Sequence, residues 1–114
     1  MKLKEAIARA DALRPNAIPE EQKAAWIHEL DGKLAETLGV DAPAPSWPED
    51  AVLLVPPPCD NVYELYLCAM IDFADQETGL YANDMAVFNA AVREARAWWR
   101  RHDCPRQSGN WRVM

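Results

Sequence analysis

Glycine is scarce in this chain, four residues in 114, and no two of them fall within one loop. A phosphate-cradling loop needs clustered glycines so that backbone N–H groups can close on the anion, so nucleotide binding of that kind is excluded. Serine occurs twice, as Ser46 and Ser108, both in proline- or glycine-flanked stretches without a nearby base. That removes a serine nucleophile. Of the two histidines, His28 precedes Glu29, but position 32 is glycine and not the second histidine of a helical zinc-protease motif. The three cysteines, Cys59, Cys68 and Cys104, are odd in number and irregularly spaced, which speaks against a disulfide framework. With His102 they also lack the paired short spacing of a Cys₃His zinc site. No cofactor and no metal are expected. No apolar run approaches the ~20 residues of a membrane span, and Met1–Glu5 leads straight into an amphipathic pattern instead of a signal peptide's apolar stretch. The chain is therefore expected to have no membrane partner and to start in the cytoplasm.

What the chain does hold is alanine, proline and acid. Half of the residues are apolar, but 19 of those 57 are alanine, leaving 38 larger side chains for one modest core. The net charge is −6, and its sign is segregated along the chain. Residues 1–92 carry −10 and residues 93–114 carry +4.

Apolar spacing predicts four helices and hence an all-α fold. Leu3, Ile7, Ala10 and Leu13 form the first stripe, and a linker over Arg14–Pro19 follows. Trp26, Leu30, Leu34 and Leu38 mark the second helix, which Gly39 stops in the left-handed conformation. Six prolines fall in residues 40–59 and enclose Ala51–Val55, a strand-like arm. The arm either packs on the helices or pairs with the same segment of another copy. Asp60 should cap the third helix, with Val62, Tyr66, Ala69, Met70 and Phe73 as its core stripe. After a short connection over Asp75–Gly79, Tyr81, Met85, Phe88, Val92, Ala95 and Trp99 follow a near-ideal heptad seam. The expected architecture is a central antiparallel hairpin, residues 60–78 and 80–102, packed on two N-terminal helices. Residues 1–104 form the single domain, with the arm at 40–59, and 105–114 form a flexible basic tail.

Candidate contact residues follow from the same patterns. Trp47 and Trp111 lie outside any helical stripe, as interface anchors often do, and Val52 and Leu54 belong to the arm. Arg96, Trp98, Arg100 and Arg101 crowd the end of the fourth helix, where cations suit the negative end of its dipole. Guanidinium groups beside indole rings are also the ingredients of a nucleic-acid platform, although a pI near 4.8 opposes nonspecific DNA affinity, so direct DNA binding is the less favoured partner. Glu64, Asp72 and Asp75 place carboxylates on the third helix. With neither a basic partner nor a facing Glu-x-x-His pattern in sight, they read as a solvated or salt-bridged face.

Several stretches together carry a resemblance. They are Arg14-Pro15-Asn16 with Glu20–Trp26, Leu53–Tyr63 with its three prolines, Ala69–Ala74, Tyr81–Ala91, and the arginine-rich Trp98-Trp99 end. Over most of residues 10–101 the chain resembles small prophage proteins from the virion-morphogenesis region of tailed phages, of the head–tail connector (adaptor) type. Cys59, where an aromatic is more usual, and the Thr78-Gly79 turn depart from the pattern. The resemblance implies a non-enzymatic, all-helical structural subunit that assembles with itself, as a ring, and docks on phage portal and tail-completion proteins. It also implies a place in the virion after assembly from the host bacterial cytoplasm. Segregated charge suits head-to-tail contacts between copies. Solvation of a helix C-terminus explains the same arginines without any partner. A small DNA-binding or DNA-packaging accessory role is the alternative.

Overall fold

The computed structural model describes residues 1–41, 43–44 and 51–102. Trp47, Trp111, Cys104 and the tail at 105–114 lie outside the described residues. The described residues form four helices and no strand: α1 (Leu3–Leu13), α2 (Glu20–Leu38), α3 (Asn61–Ala74) and α4 (Thr78–His102). The chain is mostly helical, and α3 packs on α4 more extensively than any other pair of helices touches.

On α1, Leu3, Ala6, Ile7 and Ala10 are buried, while Leu13 is half-exposed. Leu13 is the last residue of the helix, where the chain turns away and covers it only in part. The turn into α2 is built by Asn16, whose Nδ2 donates to Asp11 Oδ1 and to the Arg14 carbonyl while its Oδ1 accepts from the Ile18 amide. On α2 the buried residues are Lys23, Ile27, Leu30, Asp31, Leu34 and Ala35. The expected row of every fourth residue fits only in part, because such a row drifts ~40° per step around a helix of 3.6 residues per turn. Trp26 and Leu38, at its ends, are only partly covered. Gly39 stops α2 with φ 74°, and a double hydrogen bond, Val40 N–H to Ala35 and Gly39 N–H to Glu36, closes the last turn.

The arm is fastened within the chain. Leu3 N–H donates to the Ala51 carbonyl and Leu53 N–H to the Met1 carbonyl, so residues 51–53 run antiparallel to the residues that open α1. Alternation then sorts the side chains: Ala51, Leu53 and Val55 are buried, and Val52 between them is 73% exposed.

α3 is covered nearly all round, with Val62, Tyr63, Tyr66, Leu67, Cys68, Ala69, Ile71 and Asp72 buried. Two sequence expectations fail at its ends. The Asp60 side chain makes no capping bond and lies instead 3.9 Å from the Met1 amino group. Phe73 is 60% exposed: its ring meets Tyr81 on α4, while the other side of the same turn, at Asp72, is held by Arg14. On α4, Phe88, Ala95 and Trp99 are buried, and Met85 and Val92 pack partly against the core. Ring contacts Tyr66–Phe88 at 5.1 Å and Phe73–Tyr81 at 5.3 Å run in opposite directions along the two helices. The left-handed residue between them is Gln76, φ 62°, and Gly79 lies inside the first turn of α4.

Candidate functional site

Three polar clusters tie the helices together before any surface is left over. Asp31, buried on α2, accepts from the Leu54 amide at 3.0 Å and from the Tyr63 hydroxyl at 2.7 Å, and that hydroxyl accepts from the Val55 amide at 2.7 Å. Burial raises both Asp31 and Tyr63 above their ordinary pKa values. Lys23, also buried, donates to Asp11 at 2.7 Å and Asn16 at 3.2 Å. Burial works to raise Asp11, but the hydrogen bonds from Lys23 and Asn16 outweigh it and hold the acid below its usual value.

The third cluster supplies the basic partner that sequence reasoning did not see for the α3 carboxylates. Arg14, just past α1, donates from Nε to Asp72 on α3 at 3.1 Å and from Nη2 to Asp84 on α4 at 3.2 Å. Burial, with the hydrogen bond that protonated Asp84 donates to Asp72 next, pushes Asp84 up to about 6, while the hydrogen bond to Asp72 raises Arg14. Glu64 in turn meets Arg9 at 3.4 Å. Cys68, buried on α3, is pushed up to about 11 by its burial, which keeps it a protonated, inert thiol at neutral pH.

Two further surfaces lie at the ends of α4. At its C-terminal end Arg93, Arg96, Arg100 and Arg101 are exposed, and none makes an ion pair among the described residues. Trp98 stacks on His102 with ring centroids 4.4 Å apart, and His102 Nδ1 lies 2.9 Å from the Trp98 carbonyl. Arg96 and Arg100, four residues apart, share one face of α4, whereas Trp98 lies across the helix from them on the side of Arg101. Val52 and Leu54 lie apart from these, on the arm: Val52 is open to solvent, but Leu54 packs partly against the core, and its amide is taken by Asp31. Both line a shallow hollow with Asp41, Pro43 and Ala44, whose carbonyl lies 2.6 Å from His28 Nε2.

At the N-terminal end of α4 is a surface that periodicity missed. Phe73, Ala74, Gln76, Glu77, Thr78 and Tyr81 line a groove of about 400 Å³, with Leu80, 44% exposed, beside it. Asp75 and Glu77 are exposed there and make no ion pair among the described residues. The available signal was the position of Phe73 in a final helical turn next to two acids, where no apolar stripe continues to cover it.

Among the described residues no three His, Cys, Asp or Glu side chains gather as a metal-ligand set, and no helix is long and apolar enough to cross a membrane. Compared with protein-family models, curated proteins and solved structures, the chain matches none.

Proposed function

We propose that the chain is a noncatalytic structural subunit of a phage or prophage virion, of the head–tail connector type. It works by associating with further copies, as a ring, and by docking on portal and tail-completion proteins after synthesis in the bacterial cytoplasm. The α3–α4 hairpin, with the N-terminal helices and the proline-bounded arm packed on it, is the unit that presents the contact surfaces. The observation that carries this reading is the cluster of four exposed arginines at one end of α4 that make no ion pair among the described residues, while Arg9, Arg14 and Lys23 are spent on internal acids. A protein with −10 on residues 1–92 and this cluster at its far end is suited to oppositely signed contacts between subunits. The resemblance of residues 10–101 to connector-type proteins points the same way.

The test is mass in solution, by sedimentation of the chain alone and with the portal protein of the same gene cluster. Formation of a complex with portal, or of a multi-copy assembly that weakens as salt rises, is the expected result. A chain that remains a single copy and ignores portal at high concentration defeats the reading.

A second reading, a DNA-binding or packaging accessory factor, draws on the Trp98–His102 ring stack beside Arg100 and Arg101. Tight duplex binding at low salt that collapses with added salt, in a chain indifferent to portal, would favour it.

A further inference from the structure

The two ends of α4 are chemically complementary, and neither can satisfy the other within one molecule. The groove at the α3–α4 junction offers two aromatic faces, Phe73 and Tyr81, held 5.3 Å apart and tilted by 51°. Glu77 lines it, exposed and without an ion pair among the described residues. An aromatic wall with a carboxylate at its edge is suited to a guanidinium, which stacks by its face while its N–H groups reach the acid. A lysine ammonium, compact and strongly hydrated, uses such a wall less well. The same chain exposes four arginines that make no ion pair among the described residues, toward the other end of a helix of 25 residues. At ~1.5 Å per residue, Arg96 and Arg100 lie roughly 22–29 Å along the helix from Tyr81, on a rigid element that cannot fold back.

We infer that the Phe73–Tyr81–Glu77 groove of one copy receives the arginine-rich end of α4 from a second copy, in a head-to-tail contact. Arg96 and Arg100, four residues apart and so neighbours on one helix face, lead the insertion. Each copy then presents a free groove at one end and a free basic end at the other, so the contact repeats from copy to copy. The inference rests on the self-association reading and names the surfaces it uses.

Two variants of the full chain test it, each altering only exposed residues: Glu77→Lys in the groove, and Arg96→Glu with Arg100→Glu at the basic end. Circular dichroism first verifies that each is as helical as the unaltered chain; Arg96→Gln with Arg100→Gln replaces the charge reversal if the latter does not fold. Sedimentation of the unaltered chain at low salt is expected to show species beyond two copies, and each variant alone is expected to raise the dissociation constant by about tenfold or more. Mixed in equal amounts, Glu77→Lys and the uncharged Arg96→Gln with Arg100→Gln chain retain one intact groove and one intact basic end between them, and no reversed pair of charges replaces the lost contact. The mixture is expected to form a one-to-one complex that grows no further, and Phe73→Ala placed in the chain that donates the groove should weaken that complex.

A chain that binds portal but stays single, or that assembles undisturbed by either variant, overturns this contact and leaves the connector reading standing. An assembly that stops at two copies overturns the head-to-tail form. A chain that neither self-associates nor binds portal removes both. Loss of duplex-DNA binding, and of nothing else, in the Arg96/Arg100 variant overturns the contact in favour of a nucleic-acid role for the basic end.

Discussion

The Tyr63 hydroxyl donates to Asp31 Oδ1 at 2.7 Å while accepting from the Val55 amide at the same distance, so one phenol joins α2, α3 and the arm. All three groups are shielded from water, and removing the hydroxyl leaves a buried carboxylate oxygen and a buried amide each short of a partner. Tyr63→Phe is therefore expected to cost about 1–3 kcal/mol of unfolding free energy. Tyr66→Phe alters a ring that packs on Phe88 with no side-chain hydrogen bond among the described residues, and it should change stability by less than about 0.5 kcal/mol. Urea unfolding of both decides the matter, and equal costs would show that ring packing, not the hydroxyl, matters at position 63.

The helices were legible in the sequence because their apolar spacing is local, and so was the stop at Gly39, which needs only a residue without a Cβ. The phenol–carboxylate link was not. Asp31 sits one residue from Leu30 on α2, and nothing in its neighbours announces that an arm amide 23 residues onward will fold over it. Arg14 escaped for a related reason: its partners Asp72 and Asp84 are 58 and 70 residues away, so pairing is decided by tertiary packing alone. Phe73 was misplaced because periodicity gives the direction a side chain faces and says nothing about what covers it there. The four arginines at the end of α4 were found because exposure at a helix terminus is what their spacing and charge imply.

Gln76 closes α3 with the same pair of hydrogen bonds that Gly39 uses to close α2, Glu77 N–H to Asp72 and its own N–H to Phe73. Its φ of 62° places a β-carbon in the left-handed region, where glycine carries no steric penalty. Gln76→Gly is expected to stabilise the chain by about 0.5–1 kcal/mol, the steric relief outweighing the added freedom of the unfolded chain. Gly39→Ala should lose about 1 kcal/mol, and by backbone strain alone, since a Cβ there would meet nothing within 4 Å. Thermal unfolding of both variants checks the pair; a lower melting temperature for Gln76→Gly would contradict the argument.

Lys23 is buried, while Asp11, which it meets at 2.7 Å, has a side chain 42% exposed. Water can reach Asp11 if the lysine is removed, so Lys23→Met should cost about 1–2 kcal/mol rather than the larger sum for a fully buried pair. The cost should depend on pH. Asp11 is held below its ordinary value of 3.8, so its contribution is present above that pH and lost as pH falls through the lowered value in the folded state. The difference between Lys23→Met and the unaltered chain should accordingly be larger near neutrality than at about pH 2. A penalty that does not change with pH would assign the lysine's role to its apolar stem.

Asp84 behaves in the opposite sense. Burial and then the hydrogen bond its protonated form donates to Asp72 raise it from 3.8 to about 6, although Arg14 pulls it down. Between those two values the folded chain keeps a proton that the unfolded chain has released, so folding takes up a proton and the associated stability is lost as pH rises through about 6. Lowering the pH from 7 to 5 should therefore stabilise the chain, the reverse of the usual response of paired carboxylates. Asp31, raised by burial, acts in the same direction, so a variant is needed to isolate Asp84. Asp84→Asn keeps a group that can hydrogen-bond to Asp72 but cannot ionise; it should flatten its part of the rise and match or exceed the unaltered chain's stability at pH 7. Arg14→Gln takes away the cation that opposes the shift and should move the rise to higher pH. Chemical denaturation across pH 4.5–7.5 measures all three, and an Asp84→Asn chain that retains the whole rise would locate the proton elsewhere in the fold.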